Sequence, residues 1–170
     1  MTWTKNSFFW ILLPCLLQGC GIYSFSGLSL PPEANTFSVS LQSEVALGPA
    51  DLSDQFQQKL GEELIRRTPL KQVEEKGDLR LEGSIKKFKY RSIAPSKVNG
   101  KEEASMERLT IEVKMNYINP YNKDAAFSKK TFSQYADMSA DENRDTKEPG
   151  LIEDIFTKLI GDILAKMASW

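Results

Sequence analysis

Residues 109–117 read LTIEVKMNY, the longest clean alternation in the chain. Leu109, Ile111, Val113, Met115 and Tyr117 share one parity, and Thr110, Glu112, Lys114 and Asn116 the other. That two-residue period predicts a strand with one buried face and one wet face. Asn119-Pro120 stops the run, and the turn-forming stretch NPYNKD at 119–124 leads to a further strand expected around Ala125–Tyr135.

Working outward, Phe37, Val39 and Leu41 alternate with Ser38, Ser40 and Gln42, and Leu79, Leu81, Gly83 and Ile85 with Arg80, Glu82, Ser84 and Lys86. The second series then changes parity at Phe88 and Tyr90. Either a bulge falls near Lys86–Lys87 or the two aromatics point away from the core. Two segments have the helical period instead. Leu52, Phe56, Leu60, Leu64 and Ile65 recur between Ala50 and Arg67, where Pro69 ends the run. Gly61 lies within it at a cost of about 1 kcal/mol relative to alanine, which points to close packing or simple tolerance. Leu151, Ile152, Ile155, Phe156, Leu159, Ile160, Ile163, Leu164 and Met167 form a broad apolar stripe, with Pro149 near its start and Glu153 and Asp154 in its first turn. Asn99–Ser105 reads as a hairpin connection and Met138–Pro149 as a polar linker before the last helix.

The element order is therefore strand, helix, three strands, helix. Each helix must bury one face and the sheet offers one, so the expected fold is α+β. It is a two-layer sandwich with a mixed or antiparallel sheet of about four strands and both helices on one side. Ser38, Ser40, Arg80, Glu82, Ser84, Thr110, Glu112 and Lys114 then line the opposite face, which is solvated or covered by a partner.

The first residues carry a different instruction. Lys5 precedes the apolar run SFFWILLPCLL at 7–17, of signal-peptide length and too short to cross a bilayer. Leu17-Gln18-Gly19-Cys20 follows, resembling the bacterial lipoprotein signal, with Gln18 where a small residue commonly stands. The expected organisation is a signal peptide over 1–19, a lipidated N-terminus and linker over 20–35, and one domain over 36–170. Acyl chains on Cys20 would anchor the chain to a membrane, and the removal of Cys15 would leave no free thiol.

Composition narrows the function. The 170 residues contain 22 basic and 23 acidic side chains, a balance that does not fit a nucleic-acid partner. Histidine is missing, which removes histidine general bases, Ser-His and Cys-His nucleophiles and histidine metal ligands. No cofactor and no metal are expected. Glu62-Glu63, Glu74-Glu75 and Glu102-Glu103 read as solvated charge rather than as a glycosidase pair, so no enzyme activity is expected.

The segment Cys20-Gly21-Ile22-Tyr23-Ser24-Phe25-Ser26-Gly27, the later GDLRLEGSIKKFKY at Gly77–Tyr90, and the order of elements together resemble the lipopolysaccharide-assembly lipoprotein family LptE. The resemblance covers essentially the whole chain in element order, though its motifs are short. It implies a non-enzymatic sandwich seated in an LptD-type outer-membrane β-barrel, supporting barrel assembly and delivery of lipopolysaccharide to the outer leaflet. Gly21 after Cys20, where an aspartate keeps many lipoproteins in the inner membrane, implies the periplasmic face of the outer membrane. Lys86, Lys87, Lys89, Arg91, Lys97 and Lys101 put six cations into sixteen residues. With Lys129 and Lys130 across the sheet, Lys86, Lys87, Lys89 and Arg91 are candidate partners for lipid phosphates, or else a solvated, aggregation-resistant edge. Tyr23 and Phe25 either pack at the core edge or meet the barrel, and Tyr121 is exposed at a loop tip as a further candidate contact. The alternative function is a periplasmic lipoprotein that binds a lipid or peptide, or acts as pilot for another secretion pore.

Overall fold

The computed structural model describes residues 30–94, 97–98, 101–102 and 105–168. Cys20, Tyr23 and Phe25 lie outside the described residues. The elements are β1 (Thr36–Ser43), α1 (Leu52–Arg67), β2 (Lys71–Gln72), β3 (Leu79–Ile93), β4 (Lys97–Val98), β5 (Lys101–Glu102), β6 (Met106–Ile118), β7 (Phe127–Ser139) and α2 (Arg144–Ala168). A five-stranded sheet runs β2-β1-β3-β6-β7, and β4-β5 form a separate two-stranded piece. Strand β1 is parallel to β2 and β3, while β3-β6 and β6-β7 are antiparallel. The sheet is mixed because α1 carries the chain back across it before β3, the crossover that parallel strands require.

Five strands replace the four expected. The added strand, Lys71–Gln72, is too short for any period to reveal it, and it holds by backbone bonds such as Lys71 N–H to Asn35 O at 3.0 Å and Val73 N–H to Phe37 O at 2.9 Å. Gln72 also lies over Gly61 of α1, its Oε1 2.6 Å from where a Cβ would stand, a contact that the exposed end of the Gln72 side chain can yield.

The core lies between the sheet and the two helices. Phe37, Val39, Leu79, Leu81, Ile85, Leu109, Ile111, Val113, Met115 and Phe132 face Leu52, Phe56, Leu60, Ile155, Phe156, Leu159 and Ile163, all buried. Phe56 and Phe156 meet edge to face, with centroids 4.8 Å apart, and join the two helices. Ile65, expected in the α1 stripe, is 52% exposed, because Leu64 takes the inward position beside it.

Helix α2 begins at Arg144, so the expected linker shrinks to the turn at 140–143 and Pro149 lies inside the helix. A cap and a set of tertiary contacts account for the early start. Asn143 Oδ1 accepts the Thr146 backbone N–H at 3.1 Å, an N-cap. Arg144 donates to Glu107 at 2.8 Å and sits 4.3 Å from the Tyr90 ring, whose hydroxyl donates to Glu148 at 2.9 Å. Tertiary contacts thus outweigh the proline, which in the second turn lacks the N–H to bond the Asp145 carbonyl and crowds that carbonyl with its ring. Among the described residues no helix is long and apolar enough to cross a membrane.

Candidate functional site on the polar sheet face

Both helices cover one face of the sheet and leave the other open. Ser38, Ser40, Arg80, Glu82, Ser84 and Lys114, all expected on that face, line an open trough of about 730 Å³ there. The trough crosses four strands. One row runs from Ser40 of β1 through Glu82 of β3 to Asn116 of β6, and the next from Gln42 through Ser84 and Lys114 to Thr131 of β7. The loop after β2 borders it with Glu74, Glu75 and Lys76, and Lys129 of β7 stands at the other side. Ser38 is buried beneath that loop, its Oγ accepting the Gly77 N–H at 3.3 Å.

Two bulges decide which cations share this face. On β3 the register shifts between Ile85 and Lys87, so Ile85 faces Val113 and Phe88 faces Ile111, both toward the core. The parity change is therefore a bulge at Lys86, not a pair of outward aromatics. Its consequence is that Lys87, opposite Glu112, Lys89, opposite Thr110, and Arg91, opposite Arg108, join Arg80 and Lys114 on the polar face. A second shift lies between Met115 and Tyr117 on β6. There Asn116 Oδ1 accepts the Lys129 N–H at 2.7 Å and the Ser128 hydroxyl at 3.2 Å, holding the extra residue of β7. Lys129 comes to the trough, whereas Lys130 pairs with Met115 and lies on the helix side. The structure thus gathers Lys86, Lys87, Lys89, Arg91 and Lys129 on one face and separates Lys130 from them.

Charge is unevenly distributed over the face. Lys86 pairs with Glu44, Lys87 with Glu112 at 3.2 Å, and Arg108 with Asp137 at 2.7 Å, Arg108 also lying 3.6 Å over the Tyr135 ring. Among the described residues Arg80, Lys89, Arg91, Lys114 and Lys129 make no ion pair, and Glu82 is the carboxylate of these strands left on the same face. Glu44, Glu74 and Glu75 border the trough from loops. The Lys86 ammonium holds the Glu44 carboxyl below its ordinary value, so Glu44 stays ionised. An open face with five unpaired cations is suited to a multiply charged anion.

Backbone conformation marks the same trough. Lys76, with φ 55°, and Lys129, with φ 53°, are the two non-glycine residues with positive φ among the described residues, and both line it. A side chain in the left-handed region costs about 1–2 kcal/mol, and such strain concentrates at functional sites. Among the described residues there is no group of His, Cys, Asp or Glu able to hold a metal ion.

At the other end of the sheet's long axis from the β4-β5 piece, Asp78 closes the entry to β1. Its Oδ2 accepts the N–H groups of Asn35 and Thr36 and the Thr36 hydroxyl, each at 2.9 Å. These bonds, the Asn35 N–H foremost, hold its carboxyl below the ordinary range, and the Tyr121 hydroxyl contributes. Tyr121 is 45% exposed, as its position at a loop tip predicts. The sequence reading did not single out Lys76, whose loop has no periodicity, and it placed Arg80 and Lys114 on the polar face without assigning them a ligand.

The fold is a two-layer α+β sandwich with one sheet face packed by two helices and the other polar and cationic. The chain belongs to the lipopolysaccharide-assembly family LptE, whose model matches residues 34–167. Membership of this family makes it a lipopolysaccharide-assembly protein, not a member of an enzyme family. No curated protein matches it significantly. Solved structures similar to it include rare lipoprotein B from Shewanella oneidensis, at 18% identity and TM-score 0.48 over 78% of this chain and 94% of that one. Lipoprotein B from Nitrosomonas europaea gives 13% identity and TM-score 0.47 over 79% and 81%. A minor lipoprotein from Acinetobacter baumannii gives 14% and 0.47 over 78% and 92%.

Proposed function

We propose that the protein is an outer-membrane lipoprotein, anchored through acyl chains on Cys20 and facing the periplasm. In this reading it partners and plugs an LptD-type β-barrel and takes part in delivering lipopolysaccharide to the outer leaflet. Family membership supports the assembly role. The observation that carries the binding role is the surplus of cations on the open sheet face, where Arg80, Lys89, Arg91, Lys114 and Lys129 lack an ion pair among the described residues. Lipid phosphates offer charge-assisted hydrogen bonds to such a group, and the bulge at Lys86 extends it along β3. Lys86 and Lys87, already paired, are secondary contributors, and Lys130 drops out of the proposed site.

The binding role is tested by charge reversal. Arg80→Glu with Lys114→Glu, and separately Lys89→Glu with Arg91→Glu, should each lower lipopolysaccharide binding by the folded protein, and more so at low salt. Unchanged binding in both would refute it. For the barrel, a photo-reactive residue at Tyr121 should capture a large outer-membrane β-barrel in living cells, and capture of other proteins alone would refute the contact.

A further inference from the structure

Tyr135 of β7 stands on the polar sheet face and is 46% exposed. The Arg108 guanidinium lies over its ring, 3.6 Å from the centroid, and Asp137 holds that guanidinium by two bonds at 2.7 and 2.8 Å. At the sheet edge Lys158 Nζ donates to the Tyr135 backbone oxygen at 3.1 Å. The ring is therefore fixed in place before any ligand arrives, with Arg108 over one side and the rest open, which lowers the ordering cost of binding. Cations without partners lie beside it. Lys89 is opposite Thr110, which is opposite Tyr135, and Arg91 is opposite Arg108 in the next row. Like charges directly opposite on neighbouring strands are unfavourable. Asp137 answers Arg108, but neither Arg91 nor Lys89 makes an ion pair among the described residues, and an anion seated there relieves the excess. This group is separate from the trough. Thr110 is four residues along β6 from Lys114, about 14 Å at about 3.4 Å per residue, and Lys87 with Glu112 at 3.2 Å neutralises the row between them.

We infer that Tyr135 is a stacking platform for a sugar ring, with Lys89 and Arg91 taking a phosphate carried on that sugar. The carbon-bound hydrogens on the face of a pyranose are electropositive and meet the negative face of an aromatic ring. Charge-assisted bonds from lysine and arginine orient a phosphate beside it. Thr110 and Ser133, on the same face, offer hydroxyls to those of the sugar. The inference rests on the reading of this face as a lipopolysaccharide-binding surface. It adds a second subsite, which recognises a sugar and not charge alone.

The probes are lipid A, its deacylated bisphosphorylated disaccharide, and phosphatidylglycerol in mixed micelles, each titrated against the full-length protein in mild detergent. Tyr135→Leu should weaken binding of lipid A and of the disaccharide roughly three- to tenfold and leave phosphatidylglycerol binding unchanged. Tyr135→Phe, which keeps the ring, should bind as the parent does. Lys89→Gln with Arg91→Gln should lower binding of all three. Equal binding by Tyr135→Leu and the parent, the same loss for phosphatidylglycerol, or a loss confined to acylated lipid A would overturn the platform. A parent that binds lipid A while Tyr135→Leu is silent sinks the platform and leaves the binding role standing. A parent that binds neither lipid A nor the disaccharide sinks both. Independently, the Tyr135 ring resonances of the unaltered protein should move when the disaccharide is added, and unmoved resonances would overturn the contact.

Discussion

Lys129 offers a test in which stability and binding move in opposite directions. It holds φ at 53°, and Asn116 Oδ1 fixes its N–H at 2.7 Å. The Asn116 bond uses only the Lys129 backbone, so Lys129→Gly keeps it. Relief of the left-handed conformation is worth about 1–2 kcal/mol, and the added freedom of glycine in the unfolded chain takes back about 0.5–1 kcal/mol. The net is a gain of about 0–1.5 kcal/mol, read as a rise of about 2–4 °C in Tm per kcal/mol gained for a domain near this size. The variant also removes one cation from an exposed edge of the trough. A hydrogen bond to a charged group is worth about 1.5–3 kcal/mol, and exposure argues for the lower bound, so lipopolysaccharide affinity should fall roughly tenfold. Lys129→Gln separates the two effects: it keeps the strain, removes the charge, and should lose affinity with little change in Tm. Thermal unfolding and a lipopolysaccharide binding titration at low and physiological salt read both. A destabilised Lys129→Gly would refute the strain, and unchanged affinity in both variants would refute the role of the cation.

Gly83→Ala should destabilise the domain, although alanine ordinarily gains about 0.5–1 kcal/mol over glycine inside a strand. A Cβ there would stand 2.5 Å from the Lys114 backbone oxygen and 2.4 Å from Met115 Sδ, so overpacking of about 1–3 kcal/mol should appear in a urea titration. Phe56→Ala should cost about 3–5 kcal/mol and lower the urea midpoint, since the ring is fully buried against Phe156. Asp78→Asn tests a titration. The folded carboxyl lies below its ordinary value of 3.8, so it adds stability above that pH and loses it as pH falls through the folded value. The stability difference between parent and Asp78→Asn should therefore be constant near neutrality and shrink below about pH 4, as followed by denaturation at several pH values.

Long elements were legible in the sequence because they repeat a period over many residues. The alternation at 109–117 fixed β6 and its two faces, and the α2 stripe from Leu151 to Met167 is buried at every apolar position named. The parity change at Phe88 was visible as well, but periodicity alone does not distinguish a bulge from outward aromatics. Packing of Phe88 into the core decides it. Two residues of β2 carry no period, and the start of α2 depends on Glu107 and Tyr90, distant in sequence. For the site, the lysine cluster at 86–91 was legible as charge. Its union with Arg80 and Lys114, and the parting of Lys129 from Lys130, follow from two bulges and a cross-strand register that no local pattern encodes.

The most direct test of the assembly role is to isolate the tagged full-length protein from its own membranes in mild detergent, identify what accompanies it, and weigh its mature N-terminus. The account predicts a stoichiometric outer-membrane β-barrel of LptD type and acyl chains on Cys20. Purification without such a barrel, or an unmodified Cys20, would contradict it.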